Sequence, residues 1–450
     1  MIQEPLEEWP DNLPDIRKTP TELLTYEERL CDILFIYLYG PFLTKRLMFS
    51  DFFFAPNYRE RTGRWVFRQA GLLRQMVSRD WGDAAAVANK VWLFTDTINQ
   101  YHALAPLHTG IADTVTISSR RPFADRFAAG EVSYVNFDRY RRIKDVFPYL
   151  RFLKKVRSGI GKRFNLLYHH FFNSWGEYEA CLRAISDLQP SSVIVSNDHT
   201  PFCRALMHAC LTAGVPVIYL QHACTVEDFP PLRFSLSLLD GQETLDKYAA
   251  GGMGIFGATK LVGASRFDGL LDKMRRGTKI QRIGIPFSRG AQPEEIETMA
   301  RAISDRFPDI TVTLRPHPAD QRTFPSGFNQ FVISNSKQEK VLDFIAKQDL
   351  IIADDTSTHL EAIFMNVVSW YFQMSAADSH DIYGFVRNGL IDEKTSLGHL
   401  LRDLEVIKEN APYVRSRIAY YYSPYGTSHD GNALPLTLQE IKSFLSRKRT

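Results

Sequence analysis

SSVIVSNDHTPFCRALMHACLTAGVPVIYLQH, residues 191–222, carries the reading of the fold. Ser191 to Asp198 is a short apolar run ending in polar residues, and Pro201 to Gly214 has helical spacing with a glycine stop. Val215 to His222 is a second apolar run of strand length. Strand, helix and strand make a βαβ unit. Strands joined through a helix lie parallel, and a parallel sheet is covered on both faces, so its strands read as continuous rather than alternating apolar runs. Functional loops then lie beyond the carboxyl ends of the strands.

Towards the C-terminus the alternation repeats. TKLVGAS (259–265) and KIQRIGIPF (279–287) read as strands, a helix is expected over 293–307, and DITVTLRPHP (309–318) follows as a strand. NQFVIS (329–334), a helix over 339–347, DLIIADDTS (349–357), a helix from His359 and VVSWYF (367–372) complete the series. The expected architecture is α/β, two doubly wound domains facing a central cleft, joined near the glycines of GGMGIFG (251–257). The boundaries read as 1–255 for a first, acceptor-side domain, 256–395 for a second, nucleotide-binding domain, and 396–450 for helices that pack back on the first lobe. Residues 21–178 read as mostly helical and aromatic-rich, the periphery of a lobe.

The chain has 450 residues, 44% hydrophobic and 23% charged, enough for two cores. Its 54 basic against 51 acidic side chains leave a net charge of +3, so no global field recruits nucleic acid. Five cysteines without a metal-ligand spacing argue against a disulfide framework and for a reducing compartment. The acidic opening MIQEPLEEWP is unlike a secretory signal, and charges interrupt the apolar stretch Leu30 to Phe54, which reads as a buried helix pair. The expected location is cytoplasmic and peripheral at the inner face of the membrane. No dinucleotide fingerprint, P-loop or nucleophile elbow occurs, and no D-x-D or metal cluster is found, so neither cofactor nor metal is expected.

Two segments concentrate the chemistry. DITVTLRPHP delivers Arg315 and His317 to a strand end, and DLIIADDTSTHLEA (349–362) ends a strand in Asp354 and Asp355 with Thr356, Ser357 and Thr358 at the next helix start. Helix N-termini and hydroxyls suit an anion, and an arginine and a histidine would complete a phosphate pocket. Glu361 could accept hydrogen bonds from ribose hydroxyls; alternatively Thr356, Ser357 or Thr358 caps the helix with Glu361 in a capping box. In the first half, SNDHT (196–200) and YLQHACTVEDFPPL (219–232) follow strands. Asp198 could be general base or carboxylate nucleophile, or else Asp198 or Thr200 forms an Asx turn or cap. His222 and Glu227 add ionisable groups in one loop, Asp240 ends another strand, and Asp381 and Tyr383 follow the last one.

RPHP, DDTSTHLEA and VVSWYF, with the loop QHACTVEDFPP, resemble the C-terminal half and cleft loops of bacterial surface-polysaccharide glycosyltransferases of the GT-B fold. These are the "HP motif" enzymes that use CMP- or CDP-activated donors. The resemblance runs from about Ser191 to Leu390 and is greatest to the β-Kdo transferases of lipopolysaccharide and capsule assembly. It implies two Rossmann-like domains, a CMP-Kdo donor, a glycan or lipid-linked glycan acceptor and retention of anomeric configuration. It also implies phosphate contacts from His317, Thr356, Ser357 and Thr358, and a ribose contact from Glu361. Retention requires a carboxylate nucleophile, for which Asp198 is the candidate with Glu227 and Asp240 in reserve. A CDP-polyol polymerase of teichoic type and a non-catalytic binding module are the alternatives.

Overall fold

The computed structural model describes residues 9–39, 81–137, 146–161, 163–375 and 380–447. Thirteen strands form two wholly parallel sheets among these residues. The first comprises β1 (Val91–Phe94), β2 (Thr114–Ser118), β3 (Ser133–Tyr134), β4 (Ser192–Val195), β5 (Val217–Leu220), β6 (Leu236–Leu239) and β7 (Ala258–Leu261), ordered 3-2-1-4-5-6-7. The second comprises β8 (Arg282–Phe287), β9 (Thr311–Pro316), β10 (Val332–Ile333), β11 (Leu350–Ala353), β12 (Val368–Tyr371) and β13 (Asp392–Glu393), ordered 10-9-8-11-12-13. Both are doubly wound, and each reverses direction at one place: between β1 and β4 in the first lobe, between β8 and β11 in the second. At such a switch point the loops on the two sides diverge and leave a crevice at the strands' carboxyl ends.

The expected βαβ unit is present as β4, the helix Pro201–Thr212 and β5, with Val193 paired to Val217 and Val195 to Tyr219. Three points differ from the sequence reading. Residues 21–178 contain β1, β2 and β3 as well as helices, and β1 pairs directly with β4. VWLF is only four residues long and buried throughout, so no alternation marks it. Second, the first lobe runs past 255: Ala258–Leu261 is its edge strand, paired with β6, and the crossover between lobes falls between Leu261 and Arg282. Third, of the segment 396–450 the last helix, Leu434–Arg447, is the one whose apolar side joins the first lobe's core, Ile441 sharing a buried cluster with Leu93 and Leu238. The helix Leu397–Ile407 packs Leu400 and Leu404 into the second core.

Close packing explains two glycines. A Cβ on Gly284, within β8, would lie 2.6 Å from the Phe344 ring, so glycine lets the helix Val341–Ile345 lie on the sheet. A Cβ on Gly241 would strike the Tyr421 backbone. There the returning chain crosses the first lobe, and Ser423 N–H donates to the Asp240 carbonyl at 2.9 Å.

The part of the Leu30–Phe54 stretch that is described, up to Tyr39, is helical and buried, within Tyr26–Ile33 and Phe35–Leu38; residues 40–54 lie outside the described residues. Asp32, one of the charges that interrupts the stretch, is fully buried. It accepts hydrogen bonds from Arg204 Nε (3.0 Å), Arg233 Nε (3.1 Å) and His208 Nε2 (2.6 Å). Burial opposes its charge, but the two guanidiniums hold it well below the usual carboxylate range. A buried carboxylate survives only with such partners. No described helix is long and apolar enough to cross a membrane.

Candidate active site

In the first lobe the candidate site begins at the switch point. Asn197 Oδ1 accepts from the backbone N–H of His199 (3.2 Å) and Thr200 (2.8 Å), so the turn that starts the helix Pro201–Thr212 is made by Asn197. The turn-or-cap reading of Asp198 and Thr200 is thereby corrected: Thr200 makes no side-chain cap bond, and the Asp198 carboxylate looks elsewhere. Asp198 Oδ1 accepts from His199 Nδ1 at 3.0 Å, Oδ2 accepts from Tyr248 Oη, and its carbonyl accepts from Arg204 Nη1 at 2.8 Å. Burial works against the charge, yet His199, Tyr248 and Arg204 together hold this carboxyl below its ordinary value. Asp198 is thus an ionised carboxylate fixed by three side chains, two of which, Tyr248 and Arg204, lie outside the strand-end motif.

His222 at the end of β5 is largely buried, and burial, aided by the Arg266 charge, pushes it down to about 4. Its Nδ1 has no hydrogen-bond partner among the described residues. The imidazole is therefore neutral near pH 7 and a weak base, with a ring nitrogen free to accept a hydrogen bond from a hydroxyl. Glu227 is drawn away from such chemistry by Arg387 of the second lobe, 2.6 Å distant. Asp240 ion-pairs with Arg266 at 2.9 Å through Oδ2, while Oδ1 is buried and unpartnered, and burial raises its pKa despite that cation. These two reserve carboxylates are therefore committed to arginines, Glu227 across the lobes and Asp240 at the crossover.

Arg266 lies in the crossover between the lobes, where no strand or helix pattern announces it. Its charge acts on Asp240 of the first lobe and on Glu361 of the second, so it marks where the two halves of the site meet. Lys247 Nζ also bridges the lobes, donating to the Thr225 carbonyl at 2.7 Å and the Tyr383 carbonyl at 2.9 Å.

In the second lobe β8, not β9, is the neighbour of β11, so RPHP and DDTST flank the loop Ser288–Arg289 after β8. His317 accepts from Ala319 N–H at Nδ1, 3.1 Å. That bond fixes the neutral tautomer with its proton on Nε2, a donor without a partner. Burial and the charge of Arg289 lower the His317 pKa. Arg289 is exposed and makes no hydrogen bond or ion pair with the described residues; nothing in the strand reading singled it out.

Arg315, expected at the phosphate, is turned into the lobe. It donates from Nη1 to Ser334 Oγ (2.6 Å) and from Nη2 to the Glu339 carbonyl (2.7 Å), and its guanidinium sits 5.0 Å from the Phe344 ring centroid. On β9, Arg315 and His317 are separated by a proline whose ring ends the strand, and only His317 passes the edge of the sheet. Arg315 therefore ties β10 and the following turn to β9.

The capping-box reading of Glu361 is also corrected. Ser357 is the N-cap without a side-chain bond, and Thr356 Oγ1 accepts from Thr358 N–H at 3.3 Å in a local turn. The helix Thr358–Phe364 has seven residues, so its dipole is short, and an anion here depends more on side-chain donors. Glu361 accepts no hydrogen bond from a described residue, and burial pushes it up to about 7, with Arg266 pulling the other way. Asp354 behaves alike: Oδ1 is buried without a partner, Ser288 Oγ is 3.5 Å from Oδ2, and burial together with Asp355 pushes it up to about 7. Asp355 is pushed to about 6, chiefly by burial, while accepting from Ile382 N–H at 2.7 Å.

His359 sits beneath this turn, its Nε2–H donating to the Asp354 carbonyl (2.9 Å) and Nδ1 accepting from Ser369 Oγ (2.7 Å). Its place in THLEA was visible in the sequence, but not its role in holding the turn. Asp381 accepts from Val386 and Arg387 N–H and so shapes its own loop rather than reaching a ligand. Among the described residues no group of three or more His, Cys, Asp or Glu could hold a metal ion.

No family model matches the chain, and no curated protein matches it by sequence. Solved structures do. A histidine-to-alanine variant of the wall teichoic acid polymerase TagF superposes with a TM-score of 0.52 at 11% identity, covering 88% of this chain and 100% of that one. A histidine-to-asparagine variant of TagF soaked with CDPG gives 0.50 at 12% identity, over 87% and 98%. A protein from Listeria monocytogenes described as a UDP-N-acetylglucosamine 2-epimerase gives 0.51 at 14% identity, over 80% and 97%. At such identities the likeness concerns architecture. The two facing doubly wound sheets, joined by a single crossover and a C-terminal helix that returns to the first lobe, are the GT-B fold.

Proposed function

We propose that this chain is a glycosyltransferase that takes its sugar from a nucleotide-activated donor held by the second lobe and passes it to an acceptor held by the first. One observation carries the reading. At the second lobe's switch point the buried Asp354 Oδ1 and the Glu361 carboxyl, together with the exposed His317 Nε2–H and Arg289, have no partner among the described residues, and they face a first lobe that carries the ionised Asp198. Unpaired buried polar groups cost stability, which a ligand supplying the missing bonds would recover. Cations and N–H donors suit the donor's phosphate, and Glu361 suits ribose hydroxyls.

The resemblance of RPHP, DDTSTHLEA and QHACTVEDFPP supports CMP-β-Kdo as donor, a lipopolysaccharide or capsule glycan as acceptor, and retention. In that reaction an Asp198 oxygen attacks the anomeric carbon as the bond to the phosphate oxygen breaks and CMP leaves with the electron pair. The acceptor hydroxyl then attacks the same carbon, its proton passes to His222, and Asp198 departs as carboxylate. Two inversions give net retention. The frame shared with TagF, soaked with CDPG in one of its structures, supports a CDP-linked polyol as the second reading.

The test is a thermal-shift panel of CMP, CDP, UDP and GDP, since a ligand bound only by the folded state raises apparent stability. Sugar transfer from the stabilising nucleotide's conjugates is then assayed in excess chelator. A cytidine nucleotide is expected to stabilise most, with turnover persisting. Binding without turnover would leave a binding module, and turnover restored only by magnesium or manganese would reassign Asp354 and Asp355 as metal ligands.

A further inference from the structure

The helix Val146–Ile160 has two unlike faces. Tyr149, Phe152, Leu153, Val156 and Ile160 are buried, with Tyr149 stacked on Trp175 at 4.5 Å between ring centroids. Lys155 reaches Glu27 at 2.7 Å. This face is satisfied by the helix Arg163–Leu188 and the N-terminal segment. The helix is thus an outer layer of the first lobe, and its other face is exposed.

That outer face carries Phe147, Leu150, Arg151, Lys154 and Arg157 at helical spacing, all exposed. Phe147 is 81% exposed, more than any other large apolar side chain among the described residues, and Leu150 is 49% exposed. The helix contains no acidic residue, and the side chains of Arg151, Lys154 and Arg157 enter no ion pair or hydrogen bond with the described residues. Aromatic and aliphatic side chains at one end, with cations along the same side, is the composition of a helix that lies in a lipid interface. A second copy of the chain meeting the same face would set like charges together.

We propose that the outer face of Val146–Ile160 docks the first lobe on an anionic lipid surface, with Phe147 and Leu150 entering the headgroup boundary and Arg151, Lys154 and Arg157 neutralising lipid phosphates. This surface does not depend on the donor reading and stands if that reading fails. Each cation near an anionic bilayer is worth about a fivefold gain in partition coefficient, so three give about a hundredfold, and the gain falls as salt shortens the screening length.

The experiment is co-sedimentation of the full chain with vesicles of pure phosphatidylglycerol or pure phosphatidylcholine. Binding to the first and not the second is expected, weakened by high salt. Phe147→Ser with Leu150→Ser, and Arg151→Gln with Lys154→Gln and Arg157→Gln, should each lower binding at least about tenfold while melting and nucleotide binding hold, because these side chains are exposed. A control that neutralises Lys260, Lys337 and Lys340, exposed elsewhere, should change binding less than about twofold. No binding to phosphatidylglycerol, equal loss in the control, or a concentration-dependent dimer abolished by the Phe147 variant would each overturn the proposal, the last assigning the face to a second copy.

Discussion

Asp198 and Asp354 stand at comparable places, each in the loop after the strand that crosses its lobe's switch point, with Glu361 further along in the helix after Asp354, and the environments on the two sides are opposite. Around Asp198 the chain supplies a tyrosine hydroxyl, a histidine N–H and an arginine charge, so the carboxylate stays ionised in a buried setting. Around Glu361 and Asp354 it supplies almost nothing, and burial pushes both up to about 7. The same residue type at the same topological position can be a finished piece of machinery or half of an interaction whose other half is a ligand. Two carboxyl groups with divergent pKa values at facing strand ends also separate roles, a lasting anion on one side and a protonation-ready acceptor on the other.

The largest effect expected from breaking this contrast is on turnover. Asp198→Asn keeps the shape but loses the charge, so transfer should fall by at least about a hundredfold while nucleotide affinity holds. Since the new amide faces His199 and Tyr248, about 1 to 2 kcal/mol of stability should go as well, and the assay belongs well below the melting temperature. Near-normal turnover would remove Asp198 from the mechanism. Mass spectrometry of the wild type with donor alone then tells nucleophile from base, since only the nucleophile's peptide carries a glycosyl adduct.

On the second lobe, His317→Ala should weaken nucleotide binding about ten- to a hundredfold, as loss of one charge-assisted contact does. Calorimetric titration with CMP and CDP measures it, and unchanged affinity would sink the phosphate assignment.

Glu361→Gln sharpens the contrast through pH. A carboxyl whose folded pKa is raised contributes most below its unfolded value and loses that contribution as pH rises from about 4.5 through about 7. The free wild type should therefore weaken over this window, and Glu361→Gln should be spared about 1 to 2 kcal/mol of that loss near pH 8 while binding nucleotide less well. Asp198, held low, behaves in the reverse sense: its contribution is present above the ordinary carboxylate range and lost as pH falls through it. Melting curves of both variants across pH decide the matter; a Glu361→Gln curve parallel to wild type would show a carboxyl that is not penalised by burial. The smallest effect belongs to Arg289→Gln, exposed and screened, which should cost about threefold in nucleotide affinity at low salt and less at high salt.

Much of the site was legible because strand ends are local signals. Ser191–Asp198, Val215–His222 and Asp309–His317 each place a polar residue after a buried run, and the sheet delivers that residue to the cleft whatever else happens. Arg315 shows the limit. One strand position decides whether a side chain passes the sheet edge, and Ser334 and Glu339 then claim its guanidinium. Arg289 and Arg266 were not legible, being single cations in irregular loops whose importance comes only from what lies opposite. The strands β1 and β2 were missed for a different reason: four or five residues buried on both faces look like helix core.

The sequence by itself determined the alternation of strand and helix over 191–222 and 279–372, hence two parallel sheets, because periodicity and helix stops act over a few residues. Only the tertiary structure decided which carboxyl is charged, because that depends on partners far along the chain. Arg204, which holds the Asp198 carbonyl, is itself anchored on Asp32, 172 residues away, and the Lys247 bond that joins the lobes at Tyr383 spans 136. Charge in a buried site is set by whatever the fold brings within a few ångströms, and no local pattern records that neighbourhood.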